Sequence, residues 1–234
     1  MIAGAILIMG KFEIPKELWI LAIPLVDAMV VTYNSKLSQR IYTQEKISSL
    51  LPYENFASVI TIVIAFFLFR DTPLPTFIIA LAIIAIIFVF SFDFKKHEFP
   101  RNFKLIILNN IINGGRSIAI GYALAHMTSP SFYTIRNLLT TIIVWTGIVW
   151  AGQLGLLRET KSNFLIPRLM SSFLGAASAL IGFTLISKFG LITSTLLGFL
   201  SMISTLILGY FFLADHPEKK NIMLAITVAI LVGL

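Results

Sequence analysis

The chain has 234 residues, of which 57% are hydrophobic and 12% are charged, and its net charge is +7. A soluble domain usually carries about 25% charged residues. The composition therefore excludes an ordinary soluble fold and predicts an all-α, multi-pass membrane protein. The basic residues fall mostly between apolar runs, where they indicate membrane topology rather than a nucleic-acid surface. The absence of cysteine excludes disulfides and thiolate metal sites.

Seven apolar runs are long enough to cross a bilayer, since a spanning helix needs about 17–25 mostly apolar residues. In chain order they predict helices over Leu18–Asn34, Ile47–Phe69, Pro73–Phe92, Phe103–Ala125, Pro130–Gly152, Phe164–Ser187 and Gly190–Leu213. Two shorter runs, Met1–Met9 and Asn221–Leu234, each look like half of a span, so we expect the natural protein to extend beyond both ends. The loops are too short for an extramembrane domain, and residues 1–234 are predicted to form one helical bundle in the membrane.

An internal repeat relates the two ends of the chain. "AFFLFRDTPLPTFIIALAIIAIIFVF" (residues 65–90) aligns without a gap on "GYFFLADHPEKKNIMLAITVAILVGL" (residues 209–234), so that Asp71 falls on Asp215 and Pro73 on Pro217. With the helices between them, this predicts two five-helix repeats: 1–92, incomplete at its start, and 103–234. About nine of the ten helices would then be present. A duplicated unit with an odd number of helices crosses the membrane in opposite directions, an inverted topology common among secondary transporters.

Two segments share one pattern: "LLPYENFASVITIVIAFFLFRDTPLPTFIIALAIIAII" and "GLITSTLLGFLSMISTLILGYFFLADHPEKKNIMLAITVAILVG". Each has small or polar residues near the start of a helix, then an apolar run, an acidic residue, a polar turn and a second helix. This pattern resembles the EamA-like, ten-helix members of the drug/metabolite transporter superfamily. The acidic position, usually Glu in that family, is Asp71 and Asp215 here. Laid on the family, the chain lacks the first helix, which lines the transport cavity in family members.

The resemblance implies a secondary transporter rather than an enzyme. Such a protein moves small metabolites or amphipathic compounds across the cytoplasmic (inner) membrane by alternating access. Two alternatives stay open: a flippase-like carrier of a lipid-linked substrate, and a truncated membrane protein that does not transport. The expected partners are a small-molecule substrate and membrane lipid, with a homodimer left open. We expect no metal site, because the three histidines lie apart from one another in the sequence. We also expect no cofactor and no nucleic acid.

The orientation of the bundle has two conflicting predictions. Counted over the loops, eleven basic residues fall on one side and four on the other, and the richer side should be cytoplasmic. The arrangement usual in the family would instead place the basic loop 93–104 outside. The charge count is the observation that belongs to this chain itself.

Nine polar residues inside the predicted spans are candidates for substrate binding or ion coupling, because a charge at mid-bilayer costs about 2.5–3.5 kcal/mol and such residues usually face a cavity. They are Asp27, Asn34, Tyr53, Glu54, Asn55, Asn109, Asn113, Arg116 and Arg136. Either Asp27 or Glu54 could carry a coupled proton, since desolvation disfavours the charged form of a carboxyl.

The carboxyls each have a second interpretation. Asp27 and Asn34 are seven residues apart and share a helical face, which favours a cavity. The alternative is a carboxyl that is protonated or hydrogen-bonded to a neighbouring helix. Glu54 follows the helix breaker Pro52, with Tyr53 and Asn55 beside it. It faces a cavity or gate, or else the membrane boundary lies near Pro52.

The span 103–125 is the most polar. Asn109, Asn113 and Arg116 follow an i, i+4, i+7 pattern and so line one stripe, which favours a substrate-lining face over a packing motif. Arg116 could pair with an anionic group on the substrate or neutralise one of the carboxylates. Arg136 is about two turns into its helix, where snorkelling to the membrane surface and a cavity-facing position are equally good interpretations.

Overall fold

The computed structural model describes residues 12–44, 53, 56–69, 73–91, 102–152, 165–200, 204 and 219–233. Over these residues the chain forms eight α-helices and a short 3₁₀ helix at Leu18–Leu21, with no β-strand. The helices are α1 (Ala22–Gln44), α2 (Phe56–Phe69), α3 (Leu74–Ser91), α4 (Phe103–His126), α5 (Ser129–Trp150), α6 (Leu165–Phe189), α7 (Leu191–Gly198) and α8 (Lys219–Gly233). The predicted all-α fold class is confirmed for the described part of the chain.

The bounds of α3, α4, α5 and α6 agree with the predicted spans to within about two residues. Helix α8 covers residues 221–233 of the predicted half-span Asn221–Leu234. Only the second part of the predicted helix Ile47–Phe69 is described, as α2. The half-span Met1–Met9 lies outside the described residues.

Helix α1 continues to Gln44, ten residues beyond the predicted end at Asn34. The extension is polar enough to resemble a loop, but Leu37 and Ile41 are one turn apart and both are buried. They pack against Ile106 of α4. This tertiary contact stabilises a helix that the local composition does not favour.

The predicted helix Gly190–Leu213 is interrupted within the described residues. Helix α7 ends at Gly198, and the next amides, of Phe199 and Leu200, donate to the carbonyls three residues back, at 3.0 and 3.1 Å. Glycine disfavours a helix by about 1 kcal/mol relative to alanine. This accounts for the change, after Gly198, from α-helical hydrogen bonds to bonds that reach three residues back. Gly190, which precedes α7, has φ of 80°, a conformation that glycine adopts readily and other residues do not.

The chain divides into two compact units. The first comprises the described residues within Met1–Tyr33 and Ala119–Lys188. Its core is an apolar cluster of Ile20, Ile120, Ala123, Leu124, Met127, Phe132, Tyr133 and Phe183. The rings of Phe132 and Phe183 meet edge to face at 5.1 Å between centroids. Helix α5 begins directly after Thr128, its N-cap residue, whose side-chain hydroxyl accepts a hydrogen bond from the Ser131 backbone amide.

The second unit comprises the described residues within Asn34–Ile118 and Phe189–Leu234. Helix α7 packs against α2 and α3, and α8 packs against α3. Helices α2 and α3 also meet through Phe66 and Phe77, whose rings stack at 3.9 Å between centroids. The core of this unit is therefore built from side chains between neighbouring helices.

Among the described residues, three helical segments are long and apolar enough to cross a membrane, judged by length and composition: Leu18–Ile41, Ser129–Trp150 and Ser172–Phe189. Their apolar side chains are largely exposed, as in a helix that faces lipid; Phe173, Leu174 and Ile181 are examples on α6. These spans indicate a multi-pass membrane protein, which is the coarser form of the predicted localisation.

Candidate functional site

The first unit buries an ion pair. Asp27 on α1 and Arg136 on α5 approach to 2.7 Å between Oδ2 and Nε, and their side chains are only 2% and 12% exposed. Both residues lie inside candidate spans, nine and seven residues after the first residue of each. The guanidinium of Arg136 is therefore turned towards Asp27, inside the first unit.

The surroundings of this pair are apolar. The guanidinium carbon of Arg136 lies 5.7 Å from the centroid of the Phe183 ring, a cation–π contact. Phe183 belongs to the apolar cluster of the first unit, so the ion pair lies at the edge of that cluster. A low local dielectric strengthens the attraction between the two charges and raises the cost of leaving either one unpaired.

The second unit buries neutral amides instead. The side-chain Nδ2 of Asn34 on α1 donates to Asn113 Oδ1 on α4 at 2.8 Å. The hydroxyl of Ser38 donates to Asn109 Oδ1 at 3.3 Å. Residue numbers rise along α1 as they fall along α4, so these halves of the two helices run antiparallel. The Asn109 and Asn113 stripe predicted from the sequence is thus the seam between α1 and α4.

Asn110 makes the densest set of bonds in this unit. Its Nδ2 donates to the Tyr53 carbonyl at 2.8 Å and its Oδ1 accepts from the Ala57 amide at 3.2 Å. An uninterrupted α-helix would pair those two backbone groups with each other. The Asn110 carboxamide therefore bridges two backbone groups that lie one helical turn apart, next to the first turn of α2. Its Nδ2 also donates to the Ile106 carbonyl on its own helix.

Gly114 allows α2 and α4 to approach closely. A Cβ at this position would lie 2.9 Å from Ile60 Cβ, and the Thr61 hydroxyl reaches the Gly114 carbonyl at 3.5 Å. Asn110 contacts Ala57 and Gly114 contacts Thr61, so residue numbers increase in the same direction along both helices. Helices α2 and α4 therefore run parallel. At Gly115 an added Cβ would meet nothing within 4 Å. The two adjacent glycines therefore have different roles, and Gly114 is the one at the close approach of the two helices.

The structure places the sequence-based candidates as follows. Asp27 is paired with Arg136, and Asn34 with Asn113. Asn109 bonds to Ser38, while Tyr53 takes part through its backbone carbonyl. Arg116 is half-buried on α4. Glu54 and Asn55 lie outside the described residues.

Sequence reasoning missed Asn110, Ser38 and Phe183. Asn110 is 2% exposed and bonded on both sides, yet the i, i+4, i+7 pattern drew attention to its neighbour. The available signal was its spacing of four residues from Gly114, which puts an amide and a small residue on one face. Phe183 carries no such signal, because one more aromatic residue in an apolar helix is not distinctive.

Comparison of the sequence with protein-family models and with curated proteins finds no match. The resemblance to EamA-like transporters therefore stays a prediction that depends on the residues quoted for it.

Proposed function

We propose that the chain is a secondary transporter of the EamA-like kind, moving small metabolites or amphipathic compounds across the cytoplasmic membrane by alternating access. The observation that carries the proposal is the Asp27–Arg136 ion pair inside two candidate spans. Ionisable residues in such positions are costly, and membrane proteins retain them mainly along substrate, ion and proton pathways. Asp27 is the residue to which we assign proton coupling.

The packing of α3 against α8 supports the proposed repeat. In the alignment of residues 65–90 with 209–234, these two helices are counterparts. Counterpart helices next to a pseudo-two-fold axis would meet one another, so this contact is the kind that an inverted duplication would produce.

The proposal is tested by solute flux into proteoliposomes under an imposed pH gradient, with a panel of anionic, neutral and cationic metabolites. We expect the protein to accelerate the flux of at least one solute class. The double variant D27N/R136Q, which keeps a polar amide at each position and removes both charges, should reduce that flux to the level of protein-free liposomes. Gly115→Ala serves as the folding control, because its added methyl group meets no neighbour. A folded protein that moves no solute in the panel contradicts the proposal.

A further inference from the structure

We infer that Arg136 is an anion-binding residue whose resting occupant is the carboxylate of Asp27. A monocarboxylate with an apolar body replaces Asp27 there when Asp27 takes up a proton. The inference rests on the proposed function in so far as it names a substrate class for transport, and it adds a binding site that can be measured without transport.

The first step is the balance of charge. One guanidinium and one carboxylate meet at 2.7 Å with little solvent exposure. An anion that entered beside an ionised Asp27 would add a negative charge to a buried site, which is strongly disfavoured. If a proton from water binds the Asp27 carboxylate, Arg136 exchanges one carboxylate for another and the net charge of the site does not change. One proton therefore enters with each anion.

The second step is the shape of the ligand. A guanidinium offers a planar set of donors that matches a carboxylate, and one positive charge balances one negative charge. This favours a monocarboxylate over a dianion such as phosphate. The ring of Phe183 lies against the guanidinium and continues into the apolar cluster of the first unit. Among these apolar side chains, a ligand with an apolar or aromatic body is less costly to desolvate than a strongly hydrated anion.

The third step concerns the other titratable groups on the helices around the pair. Among the described residues of the first unit they are Glu13, Lys16 and Glu17 before α1, Tyr33 on α1, Tyr133 on α5, Lys188 on α6, and Tyr122 and His126 on α4. Tyr133 is buried one turn before Arg136. The rings of His126 and Tyr122 contact each other, and Tyr122 contacts the exposed Trp19. Histidine ordinarily titrates between pH 5 and 8, so His126→Gln is the matched control for pH dependence.

The test uses the purified full chain in detergent, with benzoate as the probe and benzamide as its neutral counterpart. Calorimetric titration in buffers of different ionisation enthalpy gives both the affinity and the number of protons taken up. We expect benzoate affinity to rise about tenfold for each unit of falling pH while Asp27 is ionised, with one proton taken up per benzoate bound. Benzamide should bind at least about tenfold more weakly, because it lacks the charge that Arg136 requires.

The variants separate the roles of the two residues. Asp27→Asn should bind benzoate more tightly than the unaltered protein at pH 7.5 and with no pH dependence, because the competing carboxylate is gone. D27N/R136Q should lose binding, and His126→Gln should keep the pH dependence unchanged. If Asp27→Asn does not fold, the proton count of the unaltered protein decides the question alone. Binding without proton uptake, binding by folded D27N/R136Q, or loss of pH dependence in His126→Gln would overturn the inference.

Flux measurements distinguish this inference from the transporter proposal. If benzoate binds with one proton but crosses no liposome membrane, the binding site stands and the transport proposal fails. If neutral solutes cross while benzoate neither binds nor competes, the inference fails and the transport proposal stands.

Discussion

The first unit buries two full charges in a single pair, whereas the second buries neutral amides in a network of several hydrogen bonds. In the first unit, the two buried charges are neutralised by a single contact of 2.7 Å between Asp27 and Arg136. In the second unit, the buried polar groups are satisfied by several hydrogen bonds, made by Asn34, Asn110 and Asn113 to the backbone or to another amide. A charge without its counter-ion is far more costly in an apolar interior than an amide that loses one bond.

This difference indicates different uses. An ion pair whose charges are neutralised by one contact is either formed or broken, which suits a switch between two states. A network that loses stability in small increments is suited to holding helices at a fixed distance. Helix α4 belongs to the second case, since it has one seam with α1 through Asn113 and another with α2 through Asn110. Three sets of substitutions, ordered from the largest expected effect to the smallest, test this difference.

The largest effect is expected from breaking the ion pair on one side only. Arg136→Gln leaves a buried Asp27 without this cation, and should lower the free energy of unfolding by about 3–5 kcal/mol. D27N/R136Q should recover most of that loss, because two neutral amides of similar shape can bond to each other. Reversible unfolding in mixed micelles measures both values. If the losses of the two single variants simply add in the double variant, the pair is not coupled and the comparison fails.

A smaller loss is expected in the amide network. Asn110→Leu removes a side chain with three bonds and leaves the Tyr53 carbonyl and the Ala57 amide without it. The expected cost is about 1–3 kcal/mol. Asn109→Leu, which removes one bond of 3.3 Å, should cost about 0.6 kcal/mol, the average for side-chain hydrogen bonds between membrane helices. Hydrogen exchange at the Ala57 amide should also quicken in Asn110→Leu alone. Equal losses in the two variants would show that the contacts of Asn110 with Tyr53 and Ala57 add no stability.

The sequence predicts the helices well where apolar runs are long and end at polar turns, as for α3 to α6. It fails for the last part of α1, because Lys36 and Arg40 give that segment the composition of a loop. The helix continues there because Leu37 and Ile41 pack on Ile106, a contact between residues far apart in the chain. It also fails after Gly198, where a single glycine in an apolar run did not indicate an interruption of the helix.

The candidate site shows the same division. Asp27, Arg136, Asn34 and Asn113 can each be found from the sequence, because a polar residue in an apolar run is conspicuous. Their pairing cannot be found that way, since it depends on how one helix is positioned along another. The sequence named Arg116 as a residue that could neutralise a carboxylate, but it did not predict that Asp27 pairs with Arg136. A single sequence holds no information on that choice.

The smallest effect compares two adjacent glycines. Gly114→Ala places a methyl group 2.9 Å from Ile60 Cβ and 3.1 Å from the Ala57 carbonyl, so α2 and α4 must separate slightly. Overpacking of this kind costs about 1–3 kcal/mol, against which alanine returns about 1 kcal/mol of helix propensity. Gly115→Ala receives the same propensity gain with no neighbour within 4 Å, and should raise the free energy of unfolding by up to about 1 kcal/mol. The difference in unfolding free energy between the two variants isolates the close approach of the helices. If both substitutions stabilise the protein equally, Gly114 does not set the distance between α2 and α4, and the network around Asn110 must maintain it alone.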